Sequence, residues 1–166
     1  MVSFAACDIH MLRDMDGEYV IKEFSLYSPL WDITMCSEVF APPYDVTLVP
    51  QPYRRQNQYV TNFVHGQQWQ YGDKPYPEYS DIIRHWTSLY SRIYVKGLEK
   101  KRLLGSIVTP EVDVINVEIL GCPKLSKLSR LFVPWHCKQH ATKPIHTCVV
   151  ENAIRIGLWY VMNICI

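Results

Sequence analysis

The chain has 166 residues, of which 48% are hydrophobic, 13% aromatic and 20% charged, and its formal net charge is +1. A chain of this size and composition can bury one core and is too rich in aromatic residues to be disordered along most of its length, so we expect a single domain spanning residues 1–166. The near-zero net charge excludes a strongly basic surface field, so any nucleic-acid binding has to come from a local patch.

The cysteines and the hydropathy pattern indicate an intracellular protein. The six cysteines are spread along the chain without the density of a small secreted scaffold, and no early apolar run resembles a signal peptide. The most apolar segment, residues 154–166, contains Arg155 and Asn163 and is too short to cross a bilayer. We therefore expect a cytoplasmic or nuclear location, or both, and no membrane partner.

The first part of the chain is typical of a β-hairpin followed by irregular structure. Residues 2–11 and 18–27 are extended runs separated by turn residues. Asp8 interrupts the first run, and a carboxylate inside a core strand needs a partner or a ligand. Five prolines between residues 28 and 58 predict no long helix there, only short strands at 35–40 and 46–49.

The second part of the chain alternates helix and strand. The pattern predicts a helix at 79–90, a strand at 92–95, a helix from 98, a strand at 112–118, a helix from 122 to 131 and a last helix from His146 to about residue 164. Glu99 lies in a first helical turn just after a strand, the usual place for a site residue in an α/β fold. Hairpin strands first and helices last predict an α/β fold with a mixed sheet flanked by helices.

Residues 137–148 carry the pattern that most strongly indicates a metal ion. Cys137 and His140 have two residues between them, and this spacing lets one tight turn aim both donors at a tetrahedral zinc ion. Cys148 follows at the start of the last helix, where the helix dipole lowers the pKa of a thiol. The fourth ligand is either the nearby His146 or an acidic residue from a distant part of the chain. The alternative is that Cys148 is simply a small buried residue.

The order of elements resembles the RNase H-like fold of the DEDD exonucleases, in its DEDDh form. Those enzymes carry an Asp and a Glu two apart on the first strand, an acid at the start of a middle helix, and a last helix with a His and an acid five residues on. Asp8, Glu99 and the pair of His146 and Glu151 match these positions, while His10 stands where the second acid would be. One implied function is therefore a 3'–5' exonuclease-like nuclease that uses Mg²⁺ or Mn²⁺, with an incomplete set of acids.

A closer resemblance is to the Maelstrom domain, a relative of that fold whose catalytic acids have given way to a zinc site of one Glu, two Cys and one His. Residues 4–9 resemble the first motif of the family, with Asp8 in place of the Glu and one methylene shorter. Cys137, His140 and Cys148 match the other three ligands with the same spacing. The resemblance implies a structural zinc held by these four residues, with His146 as the rival to Asp8. Stretches at 95–100 and 122–123 also resemble uncharacterised insect mobile-element open reading frames, which implies no activity.

Three functions are implied by these resemblances. The first is a zinc-stabilised domain that binds single-stranded RNA in transposon or small-RNA silencing, or in its antagonism. The second is the nuclease described above, and the third is a catalytically dead scaffold that binds a protein through Trp69 and Tyr71. For RNA, the candidate phosphate contacts are six basic residues from two stretches: Arg54, Arg55, Lys96, Lys100, Lys101 and Arg102. The last three are equally typical of an ordinary charged helix face.

Overall fold

The computed structural model describes residues 3–128 and 148–165, and within these ranges it forms an α/β fold with one five-stranded mixed sheet. The strands are β1 (Phe4–Arg13), β2 (Tyr19–Ser28), β3 (Ile33–Val39), β4 (Arg92–Val95) and β5 (Asp113–Asn116). The helices are α1 (Gln51–Val60), α2 (Tyr79–Thr87), α3 (Leu98–Gly105), α4 (Leu125–Leu128) and α5 (Val149–Asn163). The predicted class, a mixed sheet flanked by helices, is confirmed.

The sheet has the strand order β3-β2-β1-β4-β5. β1 and β3 run antiparallel to β2, whereas β4 is parallel to β1 and β5 is parallel to β4. In the β1–β2 register Asp8 lies opposite Ser25, and His10 lies opposite Glu23. Because side chains alternate along a strand and paired residues share a face, these four polar side chains project from one face of the sheet.

The two faces of the sheet are covered differently. On one face Cys7, Ile9 and Phe24 belong to an apolar core that also contains Ile83 of α2 and Leu104 of α3. On the opposite face α5 packs against β1 and β2 and brings Ile156 and its neighbours against the start of β1. The polar side chains of β1 and β2 therefore lie on the face of the sheet that α5 covers.

Residues 46–60 differ from the prediction. Residues 46–48 form a 3₁₀ turn instead of a strand, because the Asp45 carboxylate accepts a hydrogen bond from the Thr47 backbone N–H at 2.8 Å and caps the turn. The helix α1 follows directly, although five prolines predicted none. Pro50 precedes α1, and Pro52 lies in its first turn, where a helix needs no backbone N–H.

The ends of several other elements also differ from the sequence pattern. β5 stops at Asn116 because the side chain of this residue accepts a hydrogen bond from the Glu118 backbone N–H at 3.1 Å and starts a 3₁₀ turn at 117–120. α5 begins at Val149 with Cys148 as its N-cap residue, while the predicted helix start at His146 lies outside the described residues. No helix within 3–128 and 148–165 has both the length and the apolar character needed to cross a membrane.

Gly157 allows α5 to approach the sheet closely. A Cβ atom at this position would lie 2.8 Å from Cδ1 of Tyr27 and 2.9 Å from Cγ of Pro29. We therefore expect Gly157→Ala to lower the free energy of unfolding by about 1–3 kcal/mol, measured by urea denaturation. Gly105→Ala is the matched control, because no atom lies within 4 Å of a Cβ at the end of α3. Equal stability of the two variants would contradict this close packing.

Candidate functional site

Asp8 is the centre of a buried polar contact that joins three elements. The residue is 1% exposed, and its Oδ1 accepts a hydrogen bond from Nζ of Lys100 at 2.6 Å, while its Oδ2 accepts one from Nδ2 of Asn152 at 2.9 Å. Lys100 lies near the start of α3 and Asn152 near the start of α5. These contacts explain how β1 accommodates a carboxylate in its middle, since an unpaired buried charge would cost several kcal/mol.

Two further oxygen atoms near Asp8 are buried without a hydrogen-bond partner among the described residues. They are Oγ of Ser25, which lies opposite Asp8 on β2, and Oδ1 of Asn152, the second polar atom of the amide that contacts Asp8. Ser25 is 0% exposed and Asn152 is 1% exposed, so neither atom reaches solvent. Buried polar atoms are usually satisfied by protein, water or an ion, so these two oxygens are exceptions among the described residues.

A second buried polar network lies two residues further along β1, on the same face of the sheet as Asp8. Nδ1 of His10 is 3.1 Å from Oε2 of Glu23, and Nε2 of Gln67 donates to the same oxygen at 2.8 Å. The ring of His65 stacks on that of His10 with centroids 4.5 Å apart. Nδ1 of His65 accepts a hydrogen bond from the Gln67 backbone N–H at 3.0 Å, so Nε2 carries the proton and donates to the Met11 carbonyl at 3.2 Å.

The electrostatics of this network keep one of its histidines neutral. Burial, followed by the charge of His10, lowers the pKa of His65 to about 3. The hydrogen bond to Met11 and the charge of Glu23 act in the opposite direction and are weaker. At neutral pH, His65 is therefore an uncharged ring whose two nitrogen atoms both have partners.

The acids that the nuclease hypothesis requires are engaged by other groups. Glu99 accepts a hydrogen bond from the hydroxyl of Tyr19 at 2.6 Å, and Glu151 forms an ion pair with Arg155 at 3.3 Å, one helical turn along α5. In the part of the chain that the structure describes, no three His, Cys, Asp or Glu side chains form a group that could hold a metal ion. The described acids therefore do not assemble the cluster of carboxylates that a pair of Mg²⁺ ions needs.

The predicted zinc site falls only partly within the described residues. Cys137, His140 and the rival ligand His146 lie outside them, whereas Asp8 and Cys148 lie within them. Cys148 is 1% exposed and is the N-cap residue of α5. This position fits a zinc ligand. Asp8 fits less well, because both of its oxygen atoms already accept hydrogen bonds and one of them contacts an ammonium group.

The six basic residues predicted to contact phosphate fall into two groups. Two of them are engaged within the fold: Lys100 bonds to Asp8, and Nζ of Lys96 bonds to Oε1 of Glu118 at 3.0 Å and to the Cys122 carbonyl at 3.4 Å. Of the other four, Arg54, Arg55 and Arg102 are exposed, and Lys101 is half-buried. Only the second group is available to a ligand at the surface.

An open groove of about 460 Å³ lies between α1 and the hairpin ends of β1 and β2. The guanidinium group of Arg13 lies 3.8 Å above the ring centroid of Tyr19 on one side of the groove, and Arg55 and Tyr59 line the other side. Asn57 fixes α1 against β1, because its side chain accepts from the Arg13 backbone N–H at 2.6 Å and donates to the Arg13 carbonyl at 2.8 Å. The groove therefore has two arginines and two aromatic rings at fixed positions.

The aromatic surface continues beyond the groove. Tyr59 and Phe63 are each 62% exposed, and their ring centroids are 5.2 Å apart. Arg55, Tyr59 and Phe63 are spaced four residues apart, which places them along one side of α1 and the single π-helical turn at 61–65 that extends it. Exposed aromatic rings beside arginines are the arrangement that binds successive bases and phosphates of a single strand.

Sequence reasoning found only part of this surface. It selected a basic, amide and aromatic cluster at 53–59 that contains Arg54, Arg55 and Tyr59. It missed Arg13 and Phe63, because the helical segment that aligns Tyr59 with Phe63 was not predicted. The four-residue spacing from Arg55 to Phe63 is the signal that would have identified it. By contrast, Trp69 is 5% exposed and packs in the core with Leu12 and Val20, so it offers no contact surface.

The sequence was also compared with known proteins. No family model matches it, and no curated protein matches it convincingly.

Proposed function

We propose that the chain is an RNase H-like domain that binds single-stranded RNA in the groove between α1 and the β1–β2 hairpin. The observation that carries this proposal is the exposed pair of Tyr59 and Phe63 beside Arg13 and Arg55. Stacking on an aromatic ring contributes about 1–3 kcal/mol per base, and arginine adds phosphate and cation–π contacts. This chemistry suits an unpaired strand, because bases stacked within a duplex are not free to contact the rings.

The arrangement of the sheet supports the RNase H-like part of the proposal. A β-hairpin begins the chain, β3 extends it at one edge, and β4 and β5 are added in parallel after helical connections. Asp8 lies in the middle of the first strand, and α3 begins directly after β4, as in the family that the element order resembles. A metal-dependent nuclease is the alternative. It is disfavoured by the ammonium group of Lys100, which lies 2.6 Å from the carboxylate that would have to bind the metal ion.

We propose further that a structural zinc ion is bound by Cys137, His140 and Cys148, with His146 rather than Asp8 as the fourth ligand. A buried cysteine at the start of α5 supports the role of Cys148, and the two hydrogen bonds of Asp8 favour His146. Zinc with four protein ligands contributes to folding and leaves no open position for a reacting water. A cytoplasmic or nuclear role in transposon or small-RNA silencing, or in its antagonism, is the setting that the Maelstrom resemblance implies.

RNA binding is tested by fluorescence anisotropy with a labelled single-stranded oligouridine and with a duplex of the same length. We expect the single strand to bind more tightly than the duplex. Tyr59→Ala is expected to weaken binding by about 1–3 kcal/mol, which is roughly 5-fold to 150-fold in Kd. Arg55→Ala is expected to reduce the slope of log K against log salt by about 0.7, because one phosphate contact is lost.

Two variants serve as controls for this experiment. Arg92→Ala removes an exposed arginine at the start of β4, away from the groove, and Tyr71→Ala removes an exposed aromatic ring outside it. Both are expected to bind RNA like the wild type. Absence of binding at moderate salt, or equal losses in the control and groove variants, would contradict the proposal. Absence of RNA binding would favour the alternative of a protein-binding scaffold.

A further inference from the structure

We propose that a cavity at the edge of the sheet where β1 and β4 begin binds a hydrophobic carboxylic acid, with the carboxylate at Arg92 and an aliphatic chain between β2 and α5. The cavity has a volume of about 500 Å³, which is within the range of small-molecule sites. It shares no described residue with the groove beside α1. The inference therefore does not depend on RNA binding.

An aliphatic surface forms one side of the cavity. It consists of Pro29 and Leu30, which follow β2, and Val161 in the last turn of α5. Leu30 is 64% exposed and Val161 is 38% exposed, so a bound chain would remove apolar surface of both residues from water. This burial is the main source of affinity that we expect for the chain of the acid.

The aromatic wall of the cavity favours an aliphatic chain over a nucleobase. The rings of Tyr94 and Tyr160 stack on each other with centroids 3.9 Å apart, and Phe4 meets both of them edge-on. Tyr94 is 2% exposed and Tyr160 is 9% exposed, so these two rings offer little free face on which a base could stack. An aliphatic chain needs only apolar contact, which is not directional.

Arg92 is the one charged residue in the described lining of the cavity. Asp113, its register partner on β5, forms no ion pair with it, and no other carboxylate of residues 3–128 and 148–165 lies within 4 Å of its guanidinium. Burial raises the pKa of Tyr94, and the nearby guanidinium of Arg92 acts in the opposite direction. A guanidinium binds a carboxylate through two parallel hydrogen bonds, so this charge selects an acid over a neutral lipid.

The proposal is tested by isothermal titration calorimetry with decanoate, octanoate and decanol below the concentration at which they form micelles. We expect decanoate to bind at one site, and octanoate, which is two methylenes shorter, to bind about fivefold to fifteenfold more weakly. Arg92→Gln is expected to weaken decanoate binding about fivefold, as for a partly exposed ion pair, and to leave decanol binding unchanged. Leu30→Asp places a carboxylate beside the chain and is expected to abolish decanoate binding.

Matched controls and a chemical probe locate the bound acid. Arg102→Gln and Leu48→Asp change exposed residues that do not line the cavity, and both variants are expected to bind decanoate like the wild type. Cys165 is exposed and lines the cavity. Decanoate is therefore expected to slow the alkylation of Cys165 by iodoacetamide, measured by peptide mass spectrometry, and Arg92→Gln is expected to reduce this protection.

Four results would overturn the proposal. The first two are the absence of saturable decanoate binding and an equal loss of binding in Leu30→Asp and Leu48→Asp. The third is a loss of decanol binding in Arg92→Gln as large as the loss of decanoate binding, because the guanidinium would then not recognise the carboxylate. The fourth is alkylation of Cys165 at the same rate with and without saturating decanoate, which would place the acid outside the cavity.

Discussion

The purified protein is expected to contain about one zinc ion per chain and to lose its folded structure when the metal is chelated. Structural zinc contributes about 10–16 kcal/mol in zinc-finger peptides, which matches or exceeds the whole stability of an ordinary domain. Cys148 precedes the first turn of α5, and this helix covers β1 and β2, so loss of the metal would release the helix that closes one face of the sheet. Metal content by mass spectrometry and melting curves with and without chelator test this expectation.

Point variants identify the ligands of the proposed zinc site. Cys148→Ser is expected to abolish zinc binding, whereas Cys122→Ser, at another buried cysteine, is expected to keep the metal and lose only packing energy. If His146 is the fourth ligand, His146→Ala loses zinc while Asp8→Asn retains it. Zinc-free protein whose melting temperature is indifferent to chelator would contradict the site and return Cys148 to the role of a small buried residue.

The second large effect is loss of stability on acidification between about pH 6.5 and pH 3. His65 has a pKa of about 3 in the folded chain against 6.5 for an ordinary histidine, so in this window the unfolded chain binds a proton that the native state does not. Stability from this group is fully present above pH 6.5 and is lost as the pH falls toward 3. A shift of this size corresponds to a change on the order of 4–5 kcal/mol in the free energy of unfolding.

Urea denaturation from pH 7.5 to pH 4 in the wild type and in His65→Gln measures this contribution. Glutamine can accept a hydrogen bond from the Gln67 N–H and donate one to the Met11 carbonyl, but it does not titrate. We expect the variant to lose less stability than the wild type on acidification. Release of the proposed zinc at low pH would lower the free energy of unfolding of both proteins. His85→Gln, at an exposed position of α2, is expected to follow the wild type. Parallel profiles for wild type and His65→Gln would contradict the assignment.

The local elements were predictable because their signals lie within a few residues. The β1–β2 hairpin follows from its turn residues, and the prediction of β4 at 92–95 is confirmed to the residue. The helix α1 was missed because prolines disfavour helix interiors, whereas Pro52 lies in a first turn, where it is tolerated. Sequence patterns predict the existence of an element more readily than the residues at which it begins and ends. Both the missed helix and the early end of β5 depended on the position of such a boundary.

The partners of the candidate site could not be predicted, for a different physical reason. The need for a partner at Asp8 was evident from the cost of a buried carboxylate, but Lys100 and Asn152 are 92 and 144 residues away. No periodicity or spacing relates residues at such distances, and only the docking of helices on the sheet selects them. The same holds for the groove, where Arg13 meets α1 through hydrogen bonds to Asn57.

The hydrogen bonds of Asp8 also bear on how the chain unfolds. The Asp8 carboxylate on β1 accepts one hydrogen bond from α3 and one from α5. If either helix detaches, this buried charge therefore loses one of its partners. Partly folded forms in which α5 is detached but the sheet is intact are thereby disfavoured, and the beginning and end of the chain lose structure together. The contact thus makes the opening of this domain cooperative, and backbone amides of β1 and α5 should exchange with solvent at similar rates.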